Sequence, residues 1–545
     1  MGFAEDIMYL RYSREKPDGT KETWDDIAER VVNSVFSIIP TTKANEIKNF
    51  NKIVGETTTA IKERKFIPGG RFLAQAGRDY HQTNNCFLLR VEDTRESWGE
   101  LLDKVTRMLM SGGGVGIDYS DLRPKGSPLK RSGGESSGAI PLMKVVNEVG
   151  RGVMAGGKRR SAIWAGLRWN HGDIQEFIVS KNWSEDVRKL KEKDFEFPAP
   201  LDMTNISVIL DKDFFDAYED KENPEHKLAH DVYWKVINRM VRTGEPGFSV
   251  NYDNPRESLR NACTEVVSED DSDVCCLGSI NLSKISTIEE LKTITELAQL
   301  FLIVGVLYSD VPHPKVTDVK NKNMRTGLGA MGFHEWLIRR GYKYEETPEL
   351  REWMTVWKDE SDRAAKYWAK KLGVREPVKK RALAPNGTIS IAGGQTTSGI
   401  EPIFSLAYQR RYMTPDGWKK QYVVDFVAEK LHEEGYDLSK VEDSHSLALN
   451  VEKRIKFQRF IQEFVDQSIS STINLPSFGS LGNNDEKKFG NILIKHLRHL
   501  RGITVYPDGA RGGQPLTPVD FDFALSKKNV VFEGHEECND GVCGI

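Results

Sequence analysis

The chain of 545 residues has few cysteines, no excess of charge of either sign and no long apolar run. Six cysteines are far fewer than a secreted disulfide scaffold would carry, so the sequence excludes that class of protein. Lys and Arg total 77 against 80 Asp and Glu, and this balance does not indicate a surface that binds nucleic acid. Apolar residues make up 39% of the chain, which is enough for a globular core and excludes a disordered protein.

The longest apolar run, residues 297–308, is interrupted by Gln299 and Gly305 and is shorter than the about twenty residues that a membrane span needs. It predicts a buried helix. At the N-terminus no basic region precedes an apolar run, so the sequence shows no secretory signal. We therefore expect a cytoplasmic protein with neither a membrane nor a nucleic acid as partner.

Hydrophobic patterning divides the chain into three parts. Residues 1–65 are predicted to form a helical N-terminal region, because apolar residues recur at spacings of three and four over 24–36. Residues 66–525 alternate short apolar runs with glycine-rich turns and amphipathic stretches, which predicts an α/β body with at least partly parallel strands. Residues 526–545 are predicted to form a flexible tail. Within the body we predict mainly helices over 345–372 and 417–468, and strands over 472–475 and 502–506.

The cysteines are few, but their positions favour catalytic or metal-binding roles over structural ones. A reducing compartment favours catalytic or metal-binding thiols over disulfides. Cys538 and Cys543 lie in a polar, glycine-rich tail, so we expect exposed thiols on a mobile arm. A zinc site there would need a second pair of ligands, and only His535 is nearby. Burial as a small apolar side chain is the alternative for any one of the other four, Cys86, Cys263, Cys275 and Cys276.

The segment Asn261-Ala-Cys263-Thr-Glu265 places an amide, a thiol and a carboxylate at alternate positions. In an extended chain these side chains point the same way, spaced by about 6–7 Å. Such a row suits a site where a sulfur does the chemistry, the carboxylate moves a proton and the amide holds a hydroxyl. A polar strand face with one incidental cysteine is the alternative. The pair Cys275 and Cys276 favours redox work, because it adds thiols on the next predicted strand.

Three glycine-rich segments could hold phosphate oxygens with their backbone amides. They are Ser111-Gly-Gly-Gly-Val-Gly-Ile-Asp118, Ala155-Gly-Gly-Lys158-Arg159-Arg160 and Ala384-Pro-Asn-Gly-Thr-Ile-Ser390. None has the spacing of a P-loop or of a Rossmann fingerprint, and a plain turn is the alternative for each. Their number, with three basic residues in one of them, indicates more than one phosphorylated ligand.

Taken in order along the chain, these motifs resemble those of the catalytic subunit of ribonucleotide reductases. The resemblance runs from about residue 65 to the C-terminus. It implies a ten-stranded α/β barrel of two antiparallel halves, each of five parallel strands, with Cys263 on a finger loop inside the barrel. The matching segments are Asn-Asn-Cys86, the run 111–126, Gly-Gly-Lys-Arg-Arg160, Asn261-x-Cys263-x-Glu265, Cys275-x-Leu-Gly-Ser-Ile-Asn281, Ala384-Pro-x-Gly-Thr-Ile-Ser390 and the terminal Cys538-x4-Cys543.

The resemblance implies a role for each thiol site. Cys263 would carry the thiyl radical that abstracts the 3′ hydrogen of the substrate ribose. Glu265 would take the proton of the 3′ hydroxyl, and Asn261 would hydrogen-bond the ribose hydroxyls. Cys86 and Cys275 would supply two reducing equivalents and end as a disulfide.

The resemblance also bears on Cys276 and on the pair of cysteines in the tail. Cys276 stands where the family motif has asparagine, and this register selects Cys275 as the partner of Cys86. Cys538 and Cys543 resemble the tail pair that passes electrons from thioredoxin or glutaredoxin to the buried disulfide by thiol exchange.

The resemblance also implies a substrate site and an effector site. Substrate phosphates would be held by the loop Asn386, Gly387, Thr388, Ile389 and Ser390, with Gly69 and Gly70 closing the site from the other side. The effector, a dNTP or ATP, would bind Asp93, Arg123, Lys158 and Arg159. Ala155 replaces a glutamine common in the loop that relays effector identity to base choice. A homodimer is expected.

The sequence also bears on the source of the radical. Members that depend on a radical-bearing small subunit carry adjacent tyrosines on a late barrel strand, whereas Tyr506 is followed here by Pro507. This segment, with Ile67-Pro-Gly-Gly-Arg-Phe72, resembles the adenosylcobalamin-dependent class, in which homolysis of the carbon–cobalt bond makes the radical. No metal held by protein side chains is expected, because the cobalt belongs to the cofactor. The tail lacks the ligands expected of the glycyl-radical class.

Two alternatives stay open from the sequence alone. The chain could be the catalytic subunit of a class I reductase, served by a separate small metal-containing subunit. It could also be a non-catalytic nucleotide-binding protein with redox-sensing tail thiols, although the complete set of thiols, amide and carboxylate argues against this. Only residues 1–65 precede the matched region, so we expect no helical nucleotide-binding cone and no overall inhibition by dATP. The sequence leaves diphosphate and triphosphate substrates both possible.

Overall fold

The structure, a computed structural model, describes residues 3–130, 133–154, 160–194, 196–414, 417–480, 485–510, 516–528 and 530–533. The strands in these residues are β1 (Phe66–Pro68), β2 (Cys86–Arg90), β3 (Gly114–Asp118), β4 (Ile163–Arg168), β5 (Thr204–Asp211), β6 (Gly247–Asn251), β7 (Leu259–Arg260), β8 (Val267–Ser268), β9 (Asp273–Asn281), β10 (Thr326–Met331), β11 (Ala407–Thr414), β12 (Gly417–Val424), β13 (Thr472–Leu475), β14 (Gly502–Pro507), β15 (Leu516–Pro518) and β16 (Val531–Glu533).

The helices in the same residues are α1 (Phe3–Arg11), α2 (Trp24–Phe36), α3 (Thr41–Glu46), α4 (Phe50–Lys62), α5 (Gly70–Gln75), α6 (Arg95–Met110), α7 (Ala139–Gly152), α8 (Ile174–Val179), α9 (Glu185–Lys193), α10 (Lys212–Glu219), α11 (His226–Thr243), α12 (Ile288–Tyr308), α13 (Pro314–Asn323), α14 (Phe333–Arg339), α15 (Pro348–Leu372), α16 (Gly387–Ile389), α17 (Phe426–Glu433), α18 (Ser444–Ala448), α19 (Val451–Gln462), α20 (Glu486–Leu497) and α21 (Phe521–Ser526). A π-helix, Ser390–Gly394, continues α16 directly.

The first half of the main sheet is a run of five parallel strands, β2-β3-β4-β5-β6. A helix or a helix pair follows each of the first four strands, as parallel neighbours require a crossover. Side chains of alternate strand residues, such as Val115 and Ile117, are buried with those of the crossover helices in one apolar cluster. The opposite face of the strands is therefore left to line the interior of the predicted barrel.

The second half is a run of five parallel segments in which one segment is very short. β9 pairs with β10, and β13 pairs with β14, both in parallel. Two parallel bridges, Leu328 to Arg381 and Leu383 to Ile469, place residues 381–383 between these pairs. Those three residues act as the fifth strand.

Antiparallel contacts join the two halves at both edges. β2 pairs with β9, and β6 pairs with β14, each in antiparallel register. The hydrogen-bonded order therefore returns to its start, which closes the sheet into a barrel without a free edge. The predicted ten-stranded α/β barrel of two antiparallel halves is confirmed. β1 pairs with β9 in addition to these ten segments.

A hairpin of β7 and β8 lies between the two halves in the chain and forms the finger loop. It packs closely on β3, and two glycines make this possible. A Cβ atom on Gly116 would lie 1.8 Å from the carbonyl oxygen of Arg260, and one on Gly114 would lie 2.9 Å from the Cβ of Ala262. The prediction of a phosphate loop over 111–118 is wrong for these two glycines, which belong to a strand and make room for the finger.

The N-terminal helices share a core with the second half of the barrel. Buried residues of α2, such as Val31 and Val35, lie in one apolar cluster with residues of α12 and α15. Each such side chain contributes about 1.5–3 kcal/mol when fully buried. The helix predicted over 24–36 has these bounds in the structure, and Thr23 and Asp26 cap its N-terminus in a capping box.

One helix, α12, is long and apolar enough by length and composition to cross a membrane, but 78% of its most apolar window is buried inside the protein. The run 297–308 belongs to this helix, so the predicted buried helix is confirmed.

The helix predicted across 417–468 is wrong for its first eight residues. β12 occupies Gly417–Val424 and pairs with β11, in a small sheet of order β15-β11-β12-β16. Strands far away in the sequence cover both sides of this hairpin, and such pairing overrides a local preference. The three residues of β16 are the last that the structure describes, so the redox-tail residues Cys538 and Cys543 lie outside the described residues.

Candidate active site

The tip of the finger carries Asn261, Cys263 and Glu265, but as a tight turn. The backbone of Thr264 is left-handed, with φ of 68°, and its amide donates to the carbonyl of Asn261 at 3.0 Å. The Asn261 side chain closes the turn by accepting from the amide of Val266 at 2.9 Å. The extended row that we expected from alternate spacing is therefore wrong. The turn, rather than strand alternation, sets where these side chains point.

The turn brings its amide and its carboxylate to Cys86 at the start of β2. Asn261 Nδ2 lies 2.9 Å from Cys86 Sγ, and that thiol lies 3.7 Å from Glu265 Oε1. All three side chains are buried. A thiol, an amide and a carboxylate that lie far apart in the sequence thus form one contact group.

Cys275 lies directly opposite Cys86 in the antiparallel pair of β2 and β9. Opposed residues in such a pair have Cα atoms about 4.5–5.5 Å apart, which is within the range that a disulfide spans. Both side chains belong to one small apolar cluster on the inner face of the barrel wall. The two thiols are free in the structure and in register to be joined.

Cys263 differs from these two thiols in its access to solvent. Its side chain is exposed, whereas Cys86 and Cys275 are buried. Protein nevertheless surrounds it, and this burial raises the pKa of the Cys263 thiol. Cys263 is therefore an accessible thiol that keeps its proton.

Burial also controls the protonation of the neighbouring groups. It raises the pKa of Glu265, and it raises the pKa of Cys86 well above the usual value, with the Glu265 charge adding to the effect. Glu265 Oε2 is buried without a hydrogen-bond partner among the described residues. One oxygen of Glu265 is thus held by Cys86, and the other is left to accept a proton from a ligand.

Cys276 lies on the other face of β9. Its thiol lies 2.9 Å from Asn84 Oδ1, and its side chain belongs to the large apolar cluster outside the barrel. Burial raises the pKa of Cys276 to about 12. Alternation along β9 therefore separates the two adjacent cysteines across the barrel wall.

The loop with Asn386 leads into a short helix of residues 387–394, which we call the short helix; it comprises α16 and the following π-helix. Asn386 has a left-handed backbone, with φ of 58°, and its Nδ2 donates to Ser279 Oγ at 2.9 Å. No side-chain hydrogen bond caps the N-terminus of α16. Free amides at a helix N-terminus favour an anion.

Two glycines approach this loop from the N-terminal side of the barrel. Gly69 donates its amide to Leu277 of β9 at 2.8 Å. A Cβ atom on Gly70 would lie 3.6 Å from the side chain of Ile389. The structure therefore brings the two segments that we expected at the substrate phosphates, 69–70 and 386–390, against each other.

The residues expected to bind an effector are described only in part. Arg123 Nε donates to Asp93 Oδ2 at 2.5 Å, and both side chains are about one-third exposed. Arg123 also donates to the carbonyl of Pro128. Lys158 and Arg159 lie outside the described residues.

The segment expected to distinguish the radical source is strand β14. Tyr506 lies opposite Asn474 and Pro507 opposite Leu475 in the parallel pair with β13. Proline has no phenol, so no second tyrosine stands beside Tyr506 on this strand. In the part of the chain that the structure describes, no group of three or more His, Cys, Asp or Glu side chains could hold a metal ion.

Sequence reasoning missed the residues that hold the finger and the loop in place. Arg260 is fully buried, and its guanidinium donates to the carbonyls of Glu257 at 2.6 Å and of Val250 at 3.1 Å. The available signal was an arginine directly before the Asn261-x-Cys263-x-Glu265 motif. Ser279, which holds Asn386, stood inside a quoted motif, but nothing in its residue type marked the contact.

Comparison with known proteins identifies the family. A family model described as ribonucleotide reductase, barrel domain, matches residues 84–254, 188–357 and 351–497, which together are more than half of the chain. The chain belongs to this family. The match covers the strands and the finger loop that form the thiol site.

Relatives among curated proteins extend the comparison. The chain is 30% identical over 517 residues to a vitamin B12-dependent ribonucleoside-diphosphate reductase of Thermoplasma acidophilum, covering 83% of this chain and 65% of that protein. It is 26% identical over 539 residues to the protein of that name from Mycobacterium tuberculosis, covering 87% and 75%. A Mycobacterium phage D29 protein, provisionally named an adenosylcobalamin-dependent ribonucleoside-triphosphate reductase, is 26% identical and is covered over 99% of its length.

Proposed function

We propose that this chain reduces ribonucleotides to 2′-deoxyribonucleotides by a thiyl-radical mechanism. The observation that carries the proposal is the contact group of Asn261, Glu265 and Cys86, with Cys275 in register opposite and Cys263 accessible on the same turn. Family membership and the names of the relatives support it.

The roles of the residues follow from their protonation and access. Cys263 keeps its hydrogen as a thiol, so its oxidised form is a thiyl radical able to take the 3′ hydrogen of a bound ribose and later return it. The free oxygen of Glu265 accepts the proton of the 3′ hydroxyl, and the Asn261 amide, which already touches Cys86, orients the hydroxyls. The 2′ hydroxyl then leaves as water.

Cys86 and Cys275 balance the reaction. Each thiol gives one electron and one proton to the substrate, and their sulfurs form a disulfide. The sum is one ribonucleotide and two thiols converted to one deoxyribonucleotide, one disulfide and one water. Cys538 and Cys543 would return the disulfide to two thiols by exchange with a dithiol protein such as thioredoxin or glutaredoxin.

We propose adenosylcobalamin as the cofactor, because two of the relatives are named as B12-dependent and a third as adenosylcobalamin-dependent. Bound near Cys263, it would supply the radical by homolysis of its carbon–cobalt bond. The residues present fit this source in two respects. Cys263 is the accessible thiol of the site, and Pro507 stands where a Tyr-Tyr relay from a small subunit would need a phenol.

The remaining partners are proposed on the same basis. The substrate is a ribonucleoside diphosphate or triphosphate, since the relatives are named for both. Its phosphates lie at the N-terminus of the short helix. A dNTP or ATP effector binds at Asp93 and Arg123, with Lys158 and Arg159, and the active form is a cytoplasmic homodimer.

An anaerobic reductase assay tests the proposal. The purified chain is supplied with dithiothreitol, a ribonucleotide and a matched dNTP, with and without adenosylcobalamin. We expect turnover only with the cofactor, lost in Cys263→Ala and kept in Cys276→Ser as the matched control. Turnover that requires an added small subunit and ignores the cofactor would select the class I alternative. Nucleotide binding without turnover under either condition would favour the non-catalytic alternative.

A further inference from the structure

The C-terminal end of the short helix is held by a side chain from the N-terminal region. Arg64 Nη1 lies 3.2 Å from the carbonyl oxygen of Ala392 and 2.5 Å from that of Gly393. Asn281 Nδ2 donates to the carbonyl of Gly394 at 2.9 Å. The last three carbonyls of the short helix thus all accept hydrogen bonds from side chains.

Arg64 is itself fixed by its surroundings. Its backbone is left-handed, with φ of 61°, a conformation that is unfavourable for a residue other than glycine. Its guanidinium lies over the ring of Trp24, 4.8 Å from the ring centre, and the indole donates to the carbonyl of Ile61 at 2.9 Å. The fold therefore holds this guanidinium in one place despite the strain in its backbone.

The short helix also packs tightly on the same aromatic ring. A Cβ atom on Gly393 would lie 2.8 Å from Trp24 and 3.0 Å from Ile67. The carbonyl of Gly393 meets Arg64 on this closely packed side. The end of the short helix is clamped between α2, the end of α4 and β1.

The two ends of the short helix thus differ in charge and in partners. No side chain caps α16 at the N-terminal end, while a cation sits at the carbonyl end. A cation at the C-terminus stabilises a helix and neutralises its negative end, which leaves the positive end for an anion. A clamped C-terminal end also fixes the direction in which the N-terminal amides point.

We propose that Arg64 is a positioning residue for the substrate phosphates: it fixes the short helix from behind so that the free N-terminal amides meet the phosphate oxygens. The inference rests on the proposed function, because that function places the phosphates at this N-terminus. It assigns the N-terminal region a part in substrate binding, although none of its side chains need touch the substrate.

Arg64→Met tests this by keeping the apolar stem over Trp24 and removing the charge. Lys62→Met is the matched control, because Lys62 lies two positions earlier and pairs at the surface with Glu29 at 2.6 Å. We expect KM for the ribonucleotide to rise about tenfold in Arg64→Met, with kcat within about twofold. Lys62→Met should leave both constants unchanged. Equal KM values in the two variants would overturn the proposal.

Two further measurements keep the test decisive. They are the KM of the Arg64→Lys variant and the equilibrium binding of nucleotide without turnover. Lysine retains the charge without the planar fork, so its KM should lie between those of the wild type and Arg64→Met. If Arg64→Met does not fold by circular dichroism, a wild-type KM in Arg64→Lys with an unchanged melting temperature would contradict the inference. Equilibrium binding of the nucleotide separates the two proposals. If the wild type binds the nucleotide but never reduces it, the proposed function is refuted. The difference in nucleotide affinity between the wild type and Arg64→Met still tests the role of Arg64.

Discussion

The two faces of strand β9 carry adjacent cysteines with different surroundings. Cys275 faces the barrel interior, opposite Cys86 and near the finger turn, whereas Cys276 contacts Asn84 in the apolar layer outside. The two residues are of the same type and are adjacent in the sequence. Under the proposed function, strand alternation across the barrel wall, rather than the presence of a thiol, decides which cysteine can take part in chemistry.

The polar groups of the two faces differ in the same way. On the inner face Glu265 keeps one buried oxygen without a partner among the described residues, ready for a ligand. On the outer face Asn84 also donates to Ser309 Oγ at 2.7 Å, and Lys320 donates to the carbonyl of Ser309 at 2.7 Å. Asn84, Ser309 and Lys320 thus satisfy one another on the outer face, whereas one oxygen of Glu265 stays available on the inner face.

The largest expected effect comes from Cys263→Ala, which removes the accessible thiol of the inner face. We expect deoxyribonucleotide formation to fall by about three orders of magnitude or more, because Cys263 is the one exposed thiol among the described cysteines and no other is placed to carry the radical. The folded state should survive, since an exposed side chain contributes little packing. Measurement of product under anaerobic conditions, with nucleotide binding as the folding control, checks this. Residual activity near the wild-type level would contradict the role given to Cys263 on the inner face.

Cys275→Ser and Cys276→Ser compare the two faces directly. The first variant should lose sustained turnover with a dithiol reductant, because no disulfide can form with Cys86. The second should keep turnover and lose only about 1 kcal/mol of stability from a changed buried contact. Product formation over many turnovers and the melting temperature of each variant are the measurements. The reverse pattern would show that the register of β9 differs from the one described.

Glu265→Gln tests the acid–base role of the inner face. A positioned base contributes about 10²–10⁴-fold, so we expect a loss of that order in kcat. Burial raises the pKa of Glu265 above 4.5, so in the wild type the ionised base, and with it the rate, should increase as pH rises through that raised value. The variant should lack this limb of the pH–rate profile.

Stability should change in the opposite sense for the same residue. The folded protein holds the Glu265 proton more tightly than the unfolded chain, so this carboxyl favours folding at low pH and loses that contribution as pH rises. Glu265→Gln should therefore raise the melting temperature at pH 8 and leave it unchanged near pH 4. A stabilisation present only at low pH would contradict the assignment.

The last expected effect is on stability rather than on turnover, and it concerns the packing that places the finger. Gly116→Ala puts a methyl group against the Arg260 carbonyl, and overpacking of this kind costs about 1–3 kcal/mol. Gly99→Ala is the control, because Gly99 lies in helix α6 with open space around its Cβ position and should gain up to about 1 kcal/mol. Chemical denaturation of both variants measures the difference. Equal stability would mean that the finger does not rest on β3.

Much of the fold could be predicted from the sequence, while the geometry of the site could not. Periodicity placed α2, β13 and β14, because each is a local pattern. Two features escaped: β12 depends on strands distant in the chain, and the turn at Thr264 has a left-handed backbone without glycine or asparagine to signal it. Motif spacing named Asn261, Cys263 and Glu265, but only the folded barrel shows that Asn261 and Glu265 meet at Cys86.

Mapping the disulfide that forms during one turnover tests the central claim most directly. A Cys538→Ser, Cys543→Ser variant, whose tail cannot take over the disulfide, is reduced, freed of reductant, given adenosylcobalamin, ribonucleotide and effector without air, then alkylated and digested for mass spectrometry. We expect a Cys86–Cys275 disulfide in proportion to the deoxyribonucleotide formed, with Cys276 alkylated only after unfolding. Product without that disulfide, or a disulfide that includes Cys276, would contradict the division between the two faces of the barrel wall.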